Sequence, residues 1–133
     1  MHSADLLDVG FGAWLCFGTD SESALLVHLP LTPGAFAIRR RPPYQLPVGE
    51  SDIAYIGYGT SKGGIRERVR QCFHPGPTQT TNLRIREAIR ETGGFELSWR
   101  QRDSASEARR LVKDLLRRYQ HEHEQLPPLR VRG

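Results

Sequence analysis

Gly34-Ala35-Phe36-Ala37-Ile38-Arg39 and Ile53-Ala54-Tyr55-Ile56-Gly57-Tyr58, followed by Gly64-Ile65-Arg66-Glu67-Arg68-Val69-Arg70-Gln71, decide how this chain is read. In the first stretch Phe36 and Ile38 alternate with Ala35 and Ala37, the two-residue period of a strand. The second is dense in β-formers, Ile53, Tyr55, Ile56 and Tyr58, and reads as another strand. Between them Arg40-Arg41-Pro42-Pro43-Tyr44-Gln45-Leu46-Pro47 excludes a helix, because proline lacks the amide donor and clashes with the preceding turn. It is expected as a long loop, so the pair forms an antiparallel hairpin with an enlarged connection. Gly57, Gly59, Gly63 and Gly64 then bracket a turn into a helix over 65–73, whose Ile65, Val69 and Cys72 share one buried face.

Working outward, His74-Pro75-Gly76-Pro77 ends that helix. A second helix is expected from Thr80 or Thr81 to Glu91, with Leu83, Ile85, Ala88 and Ile89 inward and Gly93-Gly94 as its stop. Phe95, Leu97 and Trp99 alternate with Glu96, Ser98 and Arg100, a third strand with one buried face. Ser104 and Glu107 fit a capping box for a last helix, in which Ala108, Leu111, Val112, Leu115, Leu116 and Tyr119 form one apolar stripe. Leu126-Pro127-Pro128 closes it. Upstream, apolar residues from Ser3 to Leu31 are interrupted by Gly10, Gly12 and Gly18. They predict a short helix or irregular wrap, with Leu29-Pro30-Leu31-Thr32-Pro33 as a rigid lead-in. The fold class is therefore α/β: a small, mostly antiparallel three-stranded sheet flanked by helices, with an N-terminal extension. The 133 residues suit a single domain, with a wrap over 1–32 and a core over 33–130.

Composition narrows the partners. Hydrophobic content of 38% beside 26% charged residues is that of a soluble globular protein, and no apolar run reaches the length of a membrane span. Asp5 and Asp8 stand where a signal peptide would be basic, so none is expected and the cytoplasm is the default location. Cys16 and Cys72 are too few and too far apart for a disulfide scaffold or a zinc site, and His121-Glu122-His123 has no further ligand at metal spacing. Residues 1–60 carry three basic and six acidic side chains, a balance of −3; residues 61–133 carry sixteen and nine, a balance of +7. Seventeen of the nineteen basic residues are Arg, the exceptions being Lys62 and Lys113. A basic half suits a polyanion, since Lys and Arg displace counterions from phosphates and Arg grips phosphate bidentately.

The order of a strand ending Gly-x-aromatic, a strand bearing Tyr-Ile-Gly, and a helix bearing arginine resembles the GIY-YIG nuclease superfamily, over residues 33–130. In that family strand tyrosines position or deprotonate a water, and an arginine on the first helix neutralises the scissile phosphate. A glutamate on a later helix holds a divalent metal, which acts as a Lewis acid. The resemblance implies the tyrosine role for Tyr55, whose phenol could orient a water or shed a proton near cations, and the arginine role for Arg68.

Departures from the family pattern are as informative. Phe36 stands at the first tyrosine and has no hydroxyl. Cys72 stands where many members carry His or Tyr, and His74 is the candidate to stand in. Where the family reads Glu-Ala-x-x-Leu-Glu, this chain reads Glu107-Ala108-Arg109-Arg110-Leu111-Val112, so Val112 replaces the metal ligand. Glu107 and Asp114 lie about 140° and 160° away around the helix and do not substitute. The closing proline-then-asparagine pattern reads Pro127-Pro128-Leu129-Arg130. The glycine-rich turn over 57–64 lacks the Gly-Lys-Ser/Thr order of a nucleotide phosphate loop.

Together these features imply a DNA- or RNA-binding domain of endonuclease lineage in which Tyr55 and Arg68 hold phosphate. Arg66, Arg70, Lys62 and His74 are the further candidate nucleic-acid contacts. No metal ligand is expected at Val112 and no membrane partner. Two alternatives stay open: an active endonuclease with a rearranged site, which would need Mg²⁺ or Mn²⁺, and a non-catalytic protein-interaction or regulatory module.

Overall fold

Along residues 1–60 and 62–130, which the computed structural model describes, the elements run in a single order. They are α1 (Ser3–Leu7), β1 (Leu15–Cys16), α2 (Glu22–His28), β2 (Gly34–Gln45), β3 (Glu50–Gly59), α3 (Gly64–Phe73), α4 (Thr80–Glu91), β4 (Phe95–Gln101) and α5 (Ala105–His123). The strands form one antiparallel sheet in the order β1-β4-β2-β3. Phe36 faces Gly57 and Ile38 faces Tyr55 across the hairpin, while β4 pairs with the other side of β2, Ile38 opposite Leu97.

The sheet has four strands where the sequence predicted three. The additional β1 is two residues long, Leu15 opposite Leu97 and Cys16 opposite Glu96. Glycines on either side leave it no alternation to read, and it owes its pairing to Leu15 packing against the core. A second correction concerns 40–47, expected as loop. β2 continues to Gln45, and the connection shrinks to 46–49, closed by Leu46 N–H donating to Gly49 O at 2.9 Å. Pro42 and Pro43 are tolerated because the register shifts between Arg39, opposite Ile53, and Tyr44, opposite Ser51, so β3 asks them for no donor.

Alternation along the strands sends side chains into two cores. Phe36, Ile38 and Tyr55 pack with Leu25 and Leu29 of the α2 region, Ile65, Val69 and Cys72 of α3, and Ile85 and Ile89 of α4. Ala35, Ala37, Ile53 and Ile56 pack on the opposite face with Leu6 and with Val112, Leu115, Leu116 and Tyr119 of α5. The N-terminal wrap serves both, since Leu6 and Phe11 lie on the α5 side and Phe17, Leu25 and Leu29 on the α3 side. On α4 the inward positions are Asn82, Ile85 and Ile89; Leu83, expected inward, is only half-buried. The helix is rotated so that a polar residue lies inside, where it has partners described below.

Two joints orient the site. Gly64, at φ +64°, lies so close to the lead-in that a Cβ there would sit 2.3 Å from Leu31 C and Thr32 O. The amides of Ile65 and Arg66 donate to Thr32 O and Pro30 O, each at 3.0 Å, so the start of α3 is fastened to the lead-in. At the other end of the chain, Ser104 Oγ accepts from Glu107 N–H and starts α5, and Glu124 at φ 57° stops it. The chain then returns along β3, the edge of the sheet. Leu129 N–H donates to Ala54 O at 3.0 Å and Arg130 Nη1 to Ile56 O at 2.9 Å. Among the described residues no helix is long and apolar enough to cross a membrane.

A cationic cleft at the edge of the sheet

Tyr55 is 3% exposed and projects from β3 toward α3. Arg68, on α3, donates from Nη2 to the Tyr55 hydroxyl at 3.2 Å and from Nη1 to Asn82 Oδ1 at 2.8 Å. Asn82 is itself fixed, its Nδ2 donating to Gln79 Oε1 at 3.0 Å. Two neutral acceptors therefore hold the guanidinium, and among the described residues no carboxylate lies within ion-pair distance of it. The Arg68 charge is thus held in place but not neutralised.

Burial raises the Tyr55 phenol above its ordinary pKa, and the nearby Arg68 and Arg130 only partly offset this. Cations do lie close, as the proton-shedding role would need, but desolvation outweighs them and the phenol stays protonated at neutral pH. With its oxygen accepting from Arg68, its proton is free for an acceptor in the cleft.

That cleft, about 290 Å³, is lined by Tyr55, Gly57, Tyr58, Thr60, Lys62, Gly64, Glu67, Arg68, Gln71 and Arg130. An adjoining cleft of about 320 Å³ shares Arg68 and Gln71 and continues along Thr78, Gln79, Thr80, Thr81 and Asn82. Among the described residues Glu67 is the one carboxylate lining the first, and Arg70 grips it through Nε at 2.9 Å and Nη2 at 2.6 Å. That grip holds the Glu67 carboxyl below its ordinary pKa. Among the described residues no three His, Cys, Asp or Glu side chains are grouped to hold a metal. A divalent ion in the cleft would meet one carboxylate already bound to Arg70, together with Lys62, Arg68 and Arg130. The residues present do not fit a carboxylate-held metal.

Of the residues expected to act together, the structure brings Tyr55, Arg68 and Lys62 into one cleft. Arg66 turns away, its Nε donating to Leu29 O at 2.8 Å just past the end of α2. Arg70 is committed to Glu67 outside the lining, and His74 pairs with Glu22 at 2.6 Å. Phe36 is fully buried with its ring centroid 5.8 Å from that of Tyr55. Cys72 is buried beneath Arg68, and burial pushes its thiol up to about 12, which keeps it a protonated core residue. Val112 belongs to the α5 core, 2% exposed, and does not line the cleft. Ser61, in the glycine-rich turn, lies outside the described residues, as do 131–133.

Two residues escaped the sequence reading. Asn82 orients Arg68, and its only signal was a polar side chain on the inward face of a helix. Arg130 lines the cleft, its guanidinium carbon 5.8 Å from the Tyr55 ring centroid. Its signal was its place after the terminal prolines, where the family pattern has asparagine.

Gly57 is what lets Tyr55 take this position. A Cβ there would lie 2.6 Å from Tyr55 Cε2, 2.9 Å from its hydroxyl oxygen and 3.0 Å from Phe36 Cζ. Gly57→Ala is expected to displace the phenol, weaken the Arg68 contact and destabilise the domain by about 1–3 kcal/mol. Chemical denaturation and the fluorescence of the protein's tyrosines would record both effects. A variant as stable as wild type with an unmoved Tyr55 would contradict this packing.

Compared with protein-family models, curated proteins and solved structures, the chain matches none of them.

Proposed function

We propose that this domain binds nucleic acid, DNA or RNA, by seating phosphate in the Tyr55–Arg68 cleft on a GIY-YIG-like plan, and that it does so without metal-dependent cleavage. The observation that carries the reading is the Arg68 guanidinium. It is aimed by Asn82 and Tyr55, has no carboxylate partner among the described residues, and shares its cleft with Lys62 and Arg130. Donors held in place before the ligand arrives suit an acceptor-rich anion. The +7 balance of residues 61–133 supports a polyanion over an isolated small anion. The strand–strand–helix order and the matching of Tyr55 and Arg68 to the family's motif support the lineage. That Glu67 is the single carboxylate in the cleft among the described residues, and is held by Arg70, argues against the metal-dependent alternative. The polar lining argues against an apolar docking surface for another protein.

The test is binding of labelled single-stranded and duplex DNA and RNA in EDTA across a salt series. Affinity is expected to fall steeply as salt rises, because each phosphate contact releases counterions. Binding that is absent at about 50 mM salt, or that ignores salt, removes the reading. The polymer bound most tightly identifies the partner.

A further inference from the structure

We infer that the cleft takes a phosphomonoester, the terminal phosphate of a nucleic-acid strand, in preference to the diesters along it. The inference rests on the nucleic-acid reading above and specifies which part of the polymer the site holds.

Charge is the first argument. Lys62, Arg68 and Arg130 line one small cleft, and its one carboxylate among the described residues, Glu67, is already bound by Arg70. Both guanidiniums approach the same phenol: Arg68 hydrogen-bonds the Tyr55 hydroxyl and Arg130 lies over the Tyr55 ring. Like charges gathered this closely repel unless an anion lies among them. A diester brings a single negative charge, whereas a monoester carries about −1.5 to −2 at neutral pH.

Hydrogen bonding is the second argument. The Tyr55 oxygen accepts from Arg68, and among the described residues its proton has no acceptor. The Nε of Arg130 is buried with no hydrogen-bond partner among the described residues, although Nη1 of the same guanidinium is anchored on Ile56 O. A buried donor left unpaired is costly, and one beside a cleft points to an acceptor that arrives with a ligand. The Thr60 hydroxyl and the Gln71 amide add donors around the lining. A monoester offers three terminal oxygens, all acceptors; a diester offers two.

Enclosure is the third. The tail that delivers Arg130 is fastened to β3 through Leu129 N–H and Ala54 O, and so covers the strand edge beside the cleft. On the other side the start of α3 is fastened to the lead-in. Arg130 of that tail and Gly64 at the start of α3 both line the cleft, so two fastened main-chain segments border it, which suits the end of a strand.

The experiment compares three oligonucleotides of one sequence in EDTA at fixed salt: 5′-phosphorylated, 3′-phosphorylated, and hydroxyl at both ends. The wild-type protein is expected to bind one phosphorylated form at least about tenfold more tightly than the hydroxyl form, and that arm names the end recognised. Inorganic phosphate should displace it more effectively than sodium chloride at equal ionic strength. Arg130→Gln should abolish the preference and leave weaker, salt-dependent binding to all three. If that variant melts early, Lys62→Gln, on an exposed turn, should reduce the preference without touching the core. Equal affinity of the wild-type protein for the three forms, with salt-dependent binding intact, overturns the inference and leaves the nucleic-acid reading standing. No binding to any form overturns that reading itself.

Discussion

Alanine at position 68 is expected to weaken nucleic-acid binding by about ten- to a hundredfold, the equivalent of a charge-assisted hydrogen bond of about 1.5–3 kcal/mol. Alanine at position 70, two residues along the same helix, should change it by less than about fivefold, since an exposed charge contributes about 0–1 kcal/mol. The contrast follows from geometry. Arg68 points into the cleft and is oriented by Tyr55 and Asn82, whereas Arg70 is exposed and spends its guanidinium on Glu67. Removing Arg68 also leaves Asn82 Oδ1 without its strongest donor, so the melting temperature should be measured alongside. Arg68→Lys, which keeps the charge but cannot serve both acceptors in one plane, should fall between wild type and alanine. Equal losses at 68 and 70 would mean that α3 acts as a generic basic surface.

Val112→Glu is expected to lower stability by about 3–5 kcal/mol, a large part of the total for a domain of this size. Val112 lies against the sheet beneath α5, in a cluster with Ala35, Ala37, Ile56 and Leu116. A carboxylate there would lose its hydration among apolar side chains, and the one ammonium in that cluster among the described residues, the Met1 N-terminus, is already paired with Glu122. Val112→Ile, which keeps the position apolar, should cost much less. Denaturant unfolding would separate the two variants by their midpoints. A glutamate variant as stable as wild type would show that α5 does not pack as described. The position that the family resemblance reserves for a metal ligand is thus part of the hydrophobic core in this chain.

The helices were legible because their apolar spacing is continuous. Ile65, Val69 and Cys72 located α3, and the stripe from Ala108 to Tyr119 located α5, with Ser104 as its observed cap. The alternation of Phe95, Leu97 and Trp99 located β4. Tertiary pairing decided the remainder. Nothing local marks Leu15-Cys16 as a strand, because it exists only by pairing with β4. Pro42 and Pro43 read as a loop until the bulge frees them from donating to β3. At the site, Tyr55, Arg68 and Lys62 followed from the motif and the helix that succeeds it. Arg66 looked equally available in sequence, but the backbone carbonyl of Leu29 claims it. Asn82, which orients Arg68, and Arg130, which lines the cleft, come from elements outside the motif, so no window of sequence around Tyr55 contained them.

Supercoiled plasmid incubated with the wild-type protein and Mg²⁺ or Mn²⁺, with an EDTA arm and Arg68→Ala in parallel, tests the central claim that the cleft holds phosphate and does not cut it. Wild-type protein is expected to leave the plasmid supercoiled throughout, and to shift an end-phosphorylated linear DNA with or without metal, which Arg68→Ala shifts far less. Metal-dependent nicking by the wild-type protein that disappears in Arg68→Ala would contradict the claim.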